Sequence, residues 1–337
     1  MAGAIRSSEE LLRRLRILTS DEPFGEIVRR FGLLAQDAEQ ILRFPVLVPE
    51  SFLARMKPGD IHDPLLRQVL PVSSEGITVD GFVPDAVGDL NAKRAPGVLQ
   101  KYHGRVLLIA TSTCAIHCRY CFRREYPYKT EPRTLEGWKP SIDEIARDPG
   151  ITEVIFSGGD PWMLNDQRLS MLCREIDSIP HIERIRFHTR LPIVLPSRVT
   201  DDLLEMMNTL RSQAIVVVHA NHPREIADDC EPALRRLVKS GRPVLNQTVL
   251  LRGINDDADL LEQLSRRLTA VGVMPYYLHQ LDRVAGASHF EVSPDEGRRL
   301  VAELSARLPG YAVPRYVQEI AGHAGKTPIL LSNSEAW

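Results

Sequence analysis

Three cysteines lie close together in the sequence, as Cys114, Cys118 and Cys121. Their C-x3-C-x2-C spacing places three thiolates on one loop, which suits a four-iron, four-sulfur (4Fe-4S) cluster whose fourth iron stays open to a small molecule. A zinc ion would need a fourth ligand, and His117 lies inside the loop as a candidate. The spacing therefore predicts a 4Fe-4S cluster, with structural zinc or three ordinary buried cysteines as the alternatives.

A second group of candidate ligand-binding residues is Ser157-Gly158-Gly159-Asp160, at the end of a predicted strand. Adjacent glycines let the backbone come close to a bound molecule, although a tight turn is the commoner reason for such a pair. His219 closes a later predicted strand, where an ordinary polar strand end explains it equally well. Because both groups follow strands of one predicted sheet, we expect them to face the same opening as the cysteines.

Alternating strands and helices from position 105 onward predict the fold that positions these residues. The predicted strands span residues 105–111, 153–157, 184–188, 214–219, 243–250 and 273–278. The predicted helices span residues 141–147, 168–178, 201–210, 231–240, 256–270 and 294–308. Six βα repeats are fewer than the eight of a closed TIM barrel. The pattern therefore predicts an α/β fold, a partial (β/α)6 TIM-like barrel with its chemistry at the carboxyl ends of the strands.

The region before the sheet is predicted to be small and mostly helical. Short helices are expected from a capping box at Ser7 and over residues 26–31, 37–42 and 50–56. Residues 57–104 are rich in Pro, Gly and Asp and are predicted to form an irregular connection. We therefore divide the chain into residues 1–92, the helical region with its irregular connection, and residues 93–337, the core with a C-terminal tail.

Composition limits the possible function classes. The 337 residues carry 42 Lys and Arg against 44 Asp and Glu, a net charge of -2, so no charge excess favours nucleic acid or a membrane surface. Five cysteines, an odd and clustered set, argue against a disulfide framework and favour a reducing cytosol. No apolar run approaches the length that spans a bilayer. We therefore expect a cytoplasmic protein that binds neither nucleic acid nor a membrane.

Several segments taken together resemble the lysine 2,3-aminomutase family of radical S-adenosylmethionine enzymes. Besides the cysteine segment with its aromatic Tyr120, they are Lys101-Tyr102-His103-Gly104-Arg105, Cys121-Phe122-Arg123-Arg124, residues 245–255, residues 274–278 and residues 319–328. The similarity runs from about position 63 to position 326, most of the chain. It is closest to the short branch that makes β-lysine for the modification of elongation factor P.

This resemblance implies a radical S-adenosylmethionine fold, three cofactors and a reaction. The cofactors are a 4Fe-4S cluster, S-adenosylmethionine and pyridoxal 5'-phosphate (PLP), and the substrate is free L-lysine. With one electron from an external reductant, such as flavodoxin or ferredoxin, S-adenosylmethionine supplies a radical that takes a hydrogen from C3 of lysine. The amino group then moves from C2 to C3 on PLP, so the expected enzyme is an isomerase, a lysine 2,3-aminomutase.

The resemblance also implies which residues bind the cofactors. Lys326 is expected to bind PLP covalently, and Arg105 to bind the PLP phosphate with Lys101 and Tyr102 beside it. The motif at residues 157–160 resembles the one that contacts the amino group of S-adenosylmethionine. The other expected cofactor-binding residues are Ser157, Gly158, Gly159, Asp160, His219 and Gln247.

For the substrate, Arg123 is expected to hold the carboxylate as a bidentate fork, and Asp282 with Glu319 to bind the distal ammonium. The position matched to Glu319 is an aspartate in longer family members, which is a difference of one methylene in pocket depth. Longer members also carry a C-terminal extension with zinc-binding cysteines that help assemble the oligomer. That extension is absent here, so any homo-oligomer is expected to form without structural zinc.

Three alternatives stay open at this point. Another amino acid, such as arginine or glutamate, is a possible substrate, although acids at positions 282 and 319 would repel the side chain of glutamate. A non-enzymatic iron–sulfur electron carrier would need neither a lysine for PLP nor an open iron. A zinc-stabilised binding module would show zinc on metal analysis.

Overall fold

A sheet of ten strands forms the centre of residues 44–330, the part of the chain that a computed structural model describes. In chain order, which is also their order in the sheet, the strands are β1 (Lys93–Ala95), β2 (Val98–Tyr102), β3 (Arg105–Thr111), β4 (Glu153–Gly158), β5 (Arg184–His188), β6 (Gln213–His219), β7 (Val244–Val249), β8 (Met274–His279), β9 (Arg315–Gln318) and β10 (Thr327–Pro328). Strands β3 to β9 pair in parallel, and antiparallel pairs flank them at both edges. No backbone pairing joins β1 to β10 within the described residues, so the sheet is not closed.

The predicted α/β class and the six predicted parallel strands are confirmed, and the sheet is wider than six strands. Strand β9 adds a seventh parallel strand beside β8. The irregular connection predicted over residues 57–104 is wrong for its last part, because residues 93–102 contain the hairpin of β1 and β2. These strands are short, and β2 is fixed by its pairing with β3, for example Val98 opposite Leu108, rather than by local periodicity.

Helices cover the connections between the strands. They are α1 (Glu50–Leu53), α2 (Leu135–Ala146), α3 (Asp166–Asp177), α4 (Leu191–Val194), α5 (Asp201–Asn208), α6 (Cys230–Lys239), α7 (Ala258–Ala270) and α8 (Pro294–Arg307). The helices predicted from Ser7 and over residues 26–31 and 37–42 lie outside the described residues. The helix predicted over residues 141–147 begins earlier and continues through Pro140. No helix in residues 44–330 is both long enough and apolar enough to cross a membrane.

Side-chain caps determine where most of the longer helices begin. Five N-cap side chains accept a hydrogen bond from the backbone N–H three residues later: Thr134, Asn165, Thr200, Asp257 and Ser293. Each such cap stabilises a helix start by about 1 kcal/mol. Because the helices follow the loops that leave the sheet at its carboxyl edge, the caps also set the length of those loops.

The parallel strands are buried on both faces. On β6, Ala214, Val216, Val217 and Val218 are at most 3% exposed. Burial on both faces explains why this strand is a continuous apolar run instead of an alternating one. The layer of helices packs outside the strands, and the central sheet is therefore rigid enough to position side chains at its edge.

A pair of glycines joins the ends of β3 and β4. The backbone N–H of Gly159 donates to the carbonyl of Thr111 at 2.7 Å, and that of Asp160 donates to the carbonyl of Thr113 at 2.8 Å. A Cβ atom would lie 2.3 Å from the oxygen of Thr111 at Gly158, and 2.3 Å from the oxygen of Thr113 at Gly159. The two glycines therefore allow a close approach of the backbone at the end of β3 and at the start of the loop that follows it. We call this loop, residues 112–124, the cysteine loop.

Replacing Gly159 with Ala is expected to destabilise the fold by about 1–3 kcal/mol, because the new methyl group overlaps the carbonyl of Thr113. Relief requires a shift of the cysteine loop, so the iron bound after reconstitution should also fall. Gly310→Ala is the matched control, since nothing lies within 4 Å of its Cβ position. Urea unfolding and iron analysis measure both effects, and wild-type values for Gly159→Ala would contradict the expectation.

Candidate active site

One cavity of about 560 Å³ is lined by carboxyl ends of parallel strands and by residues at the start of strands, such as Arg105 on β3 and Glu153 on β4. Every site residue predicted from the sequence lines it: Lys101, Tyr102, Arg105, Cys114, Cys118, Cys121, Arg123, Ser157, Gly158, Gly159, Asp160, His219, Gln247, Asp282, Glu319 and Lys326. Most of them converge because parallel strands end at a common edge, and the loops after those strands meet there. Lys101, Tyr102 and Arg105 belong instead to the antiparallel pair of β2 and β3. The individual roles of these residues stay predictions.

The three clustered cysteines line this cavity as free thiols. Burial, together with the neighbouring cysteines, raises the pKa of Cys114 well above its ordinary value and that of Cys121 to about 11. Thiolates crowded in this way need a cation in place of their protons, which the irons of a 4Fe-4S cluster supply. Cys173 and Cys230 are fully buried in α3 and α6 and do not line the cavity. The donor set therefore fits a cluster held by three cysteines.

His117, the candidate fourth ligand for zinc, is engaged by the segment before α1. Its Nδ1 lies 2.7 Å from the carbonyl oxygen of Pro45, and its ring stacks on Phe44 with the centroids 4.9 Å apart. Within residues 44–330, no group of three or more His, Cys, Asp and Glu side chains is arranged to hold a single metal ion. Because the thiolates of a 4Fe-4S cluster bind separate irons, they need no such arrangement.

A buried carboxylate anchors the cysteine loop through two arginines. Glu75 accepts from Nε and Nη2 of Arg119 at 2.8 and 2.5 Å, and from Nη2 of Arg124 at 2.9 Å. Both guanidinium groups also lie over the ring of Phe44, each 4.9 Å from its centre. Sequence reasoning missed Glu75, because a single acid in a segment without periodicity gives no signal.

Asp160 turns its carboxylate toward the protein. Its Oδ1 accepts from the hydroxyl of Thr189 at 2.7 Å and its Oδ2 from the backbone N–H of Arg190 at 2.6 Å. Burial raises the pKa of Asp160 to about 6, against the opposing effect of these hydrogen bonds. The residue therefore ties the loop after β4 to the loop after β5, and its predicted contact with a cofactor stays a prediction.

Lys326 lies immediately before β10 and is paired with Glu319. Its Nζ donates to Oε2 of Glu319 at 2.9 Å, and the hydroxyl of Tyr102 donates to the same carboxylate at 2.6 Å. Burial opposes ionisation of Glu319, but the charge of Lys326 and the bond from Tyr102 bring its pKa below the ordinary value. Arg105 lies over the ring of Tyr102, 4.6 Å from its centre. An amine and a nearby guanidinium fit the aldehyde and the phosphate of PLP.

Asp89 is a site residue that sequence reasoning missed. Its buried carboxylate pairs with Nε of Arg123 at 2.6 Å and with Nζ of Lys101 at 2.6 Å. Burial opposes its ionisation, but the charges of Arg123 and Lys101 hold its pKa below the ordinary value. Nη1 of Arg123 donates to the hydroxyl of Ser157 at 3.0 Å. Asp89 therefore orients both cations, although nothing in its local sequence marks it.

Asp282 follows β8 and differs in charge state from Glu319. Removal from water raises the pKa of Asp282 to about 7, against the smaller effect of Lys326. No hydrogen bond or ion pair joins its carboxylate to another side chain within residues 44–330. The two acids predicted to bind an ammonium thus differ in protonation. Glu319 is ionised and paired with Lys326, whereas the pKa of Asp282 lies close to neutral pH.

Three histidines end parallel strands of the sheet and line the cavity: His188 on β5, His219 on β6 and His279 on β8. Burial holds the pKa of each well below its ordinary value, and nearby cations lower it further, so the three imidazoles are neutral. Nε2 of His188 is buried and finds no hydrogen-bond partner among the described residues. His188 and His279 were not predicted as site residues, although their place at the last position of a strand was a usable signal.

This chain is similar to several known proteins. The radical SAM superfamily matches residues 108–264. The L-lysine 2,3-aminomutase of Escherichia coli (strain K12) is 42% identical over 329 residues, which are 98% of this chain and 93% of that protein. The L-lysine 2,3-aminomutase of Haemophilus influenzae is 40% identical over 327 residues, 96% of each chain. The crystal structure of Streptococcus suis SuiB is 13% identical, covers 65% of this chain and 50% of that chain, and has a TM-score of 0.49.

The identity to the two relatives extends over nearly the whole of each chain, and the cysteine loop lies within the matched superfamily region. The chain therefore belongs to the lysine 2,3-aminomutase family of radical S-adenosylmethionine enzymes, isomerases that use a 4Fe-4S cluster, S-adenosylmethionine and PLP.

Proposed function

We propose that this protein converts L-α-lysine into β-lysine by moving the amino group from C2 to C3. Two relatives that match nearly the full chain are named L-lysine 2,3-aminomutases. The observation that carries the proposal is one cavity that holds three cysteines, an amine for PLP, and groups of opposite charge for the two ends of lysine. A buried charge without a partner costs several kcal/mol, so a lysine pocket must supply both signs.

In this proposal, one end of the cavity prepares the radical. Cys114, Cys118 and Cys121 would hold the cluster, which would leave one iron available for S-adenosylmethionine. Residues 157–160, with His219 and Gln247, bind the rest of that cofactor. When loaded, the cluster and S-adenosylmethionine supply the hydrogen-abstracting radical, and the protein contributes its position relative to C3 of the substrate.

The other end binds PLP and the substrate side chain. Lys326 would bind PLP covalently and Arg105 would bind its phosphate. Glu319, which stands 2.9 Å from Nζ of Lys326, and Asp282 would together bind the distal ammonium of lysine.

Arg123 binds the substrate carboxylate, and Asp89 holds the guanidinium of Arg123 in position. The ion pair through Nε fixes the plane of the guanidinium, and Nη1 donates to the hydroxyl of Ser157, which also lines the cavity. Fixing both ends of lysine sets which hydrogen of C3 faces the radical, because the remaining carbons have little freedom between two anchored charges.

The wider setting is part of the same proposal. The reductant is an external one-electron donor such as flavodoxin or ferredoxin, and the enzyme works in the cytoplasm. Any homo-oligomer forms without structural zinc. The β-lysine serves the modification of elongation factor P. The partition of the chain at residues 92 and 93 is kept as a proposed domain boundary.

Anaerobic reconstitution with iron, sulfide and PLP tests the function. With S-adenosylmethionine and a reductant, the wild type should form β-lysine from lysine but little product from arginine or glutamate. Lys326→Ala should keep the iron and lose both the borohydride-reducible PLP label and turnover. If arginine gives product and lysine does not, the proposed substrate is wrong. If the PLP label is found on a different lysine, Lys326 is not the residue that binds PLP.

For lysine, kcat/KM is expected to rise with pH through about 7. The raised pKa keeps Asp282 neutral below that pH, and only the carboxylate pairs with an ammonium. Asp282→Asn should flatten this rise and cost roughly 2–5 kcal/mol of transition-state stabilisation at pH 8, with a much smaller loss at pH 6. Asp202→Asn, an exposed residue in the first turn of α5, is the control. An unchanged pH profile in Asp282→Asn would remove Asp282 from the substrate site.

Asp89→Asn is expected to raise KM for lysine more than it lowers kcat, with kcat/KM falling by roughly 30-fold or more. The reason is that Arg123 loses the buried carboxylate that orients it, a change on the scale of a truncated buried charge pair. Asp148→Asn breaks a half-buried pair with Arg94 that does not line the cavity, and it should leave both constants near the wild type. Equal kinetics for the two variants would show that Asp89 has no part in substrate binding.

A further inference from the structure

Arg190 lies in the loop after β5 and reaches under the cysteine loop. Its Nη1 lies 2.7 Å from Sγ of Cys118, the middle cysteine of the motif. The guanidinium also lies near the faces of Tyr120 and Phe52, 5.8 and 5.5 Å from the ring centres. It is 6% exposed, so a positive charge stands beside a cluster ligand with little water to screen it.

A second contact fixes the direction in which Arg190 points. Its Nη2 donates to Oε2 of Glu225 at 2.9 Å and to Oε1 of Gln68 at 2.6 Å. Glu225 is fully buried, and its other oxygen accepts from Nε2 of Gln68 at 3.0 Å and from the backbone N–H of Asn221 at 2.9 Å. The carboxylate is therefore itself held from several sides, and it leaves Nη1 of Arg190 free to face the sulfur.

We propose that Arg190 is a positioning residue for the cluster, which donates a hydrogen bond to the Cys118 sulfur and raises the reduction potential of the cluster bound there. A cysteine that ligates iron is a thiolate, so the donor faces a stronger acceptor in the loaded enzyme. One electron from the external reductant takes the cluster from its 2+ to its 1+ state and adds a negative charge. A cationic N–H donor beside the sulfur favours that state, since hydrogen bonds to sulfur and net charge set such potentials.

This inference rests on the proposed function only in that the three cysteines bind a 4Fe-4S cluster. It predicts that Arg190 determines how easily an external one-electron donor reduces the cluster. A purely structural role for Arg190, as a strut between β5 and the cysteine loop, predicts a change in stability or iron content but no change in potential. The two roles therefore separate on a measurement that needs neither lysine nor S-adenosylmethionine.

The experiment is an EPR-monitored redox titration of the reconstituted full-length enzyme without substrate. Arg190→Met should make the potential more negative by at least a tenfold change in the reduction equilibrium, about 59 mV. Arg190→Lys, which keeps the charge, should fall between Arg190→Met and the wild type. Arg198→Lys is the matched control, because Arg198 is fully buried and its partners are two carbonyls and Asp166. It should keep the wild-type potential even if it lowers stability.

A second measurement on the wild type covers the case in which the Arg190 variants hold no cluster. With arginine labelled by 15N at its Nη atoms, pulsed EPR of the reduced cluster should show a 15N coupling. Among the described residues, Arg190 is the one guanidinium with a hydrogen bond to a cysteine sulfur. A wild-type spectrum without this coupling overturns the proposal, as does an Arg190→Met enzyme with full iron and an unchanged potential. Failure to make β-lysine would count against the proposed function alone.

Discussion

Buried pairs of arginine and carboxylate hold the cysteine loop, and the rest of the site depends on where they place it. The pairs are Arg119 with Glu75, Arg123 with Asp89 and Arg190 with Glu225. Moving such charges out of water costs several kcal/mol per ion, which their attraction recovers only with good geometry. They are therefore weak devices for stability. Each arginine stands within two residues of a cluster cysteine or is hydrogen-bonded to one, so what the pairs provide is position.

Of the six residues in these pairs, Arg123 alone was predicted as a site residue, and that prediction came from the family resemblance. The cysteine motif depends on local spacing and the six parallel strands depend on local apolar runs, so both could be predicted from the sequence. Glu75 and Asp89 come from a segment without periodicity, and Glu225 follows β6 as one acid among many. Which carboxylate meets which arginine is decided by the closing of the tertiary fold, which no local pattern encodes.

The glycine pair also shows that a local pattern predicts a contact but not the partner in that contact. A Gly-Gly at a strand end predicts a close approach, and a close approach exists, but the backbone of Thr111 and Thr113 makes it. Glu319, which was predicted to bind the substrate ammonium, is paired with Lys326, and its contact with a substrate stays a prediction. For the glycines the residue type predicts the kind of contact correctly, while the partner follows from which loops the parallel sheet brings to one edge.

Side-chain hydrogen bonds connect the two ends of the open sheet, which no backbone pairing joins within residues 44–330. Tyr102 belongs to β2 near one edge, and Glu319 follows β9 near the other, yet the hydroxyl of Tyr102 donates to Glu319 at 2.6 Å. Lys101 adds a charge contact to the same carboxylate at 3.6 Å. On the far side of Glu319, β10 is held to β9 by only two register pairs, and residues 321–324 between them are exposed. A segment with so few buried contacts opens at low cost compared with the parallel core. Under the proposed role of Lys326, a segment of this kind, paired through Glu319, would let the lysine exchange its cofactor without disturbing the strands that hold the cysteine loop.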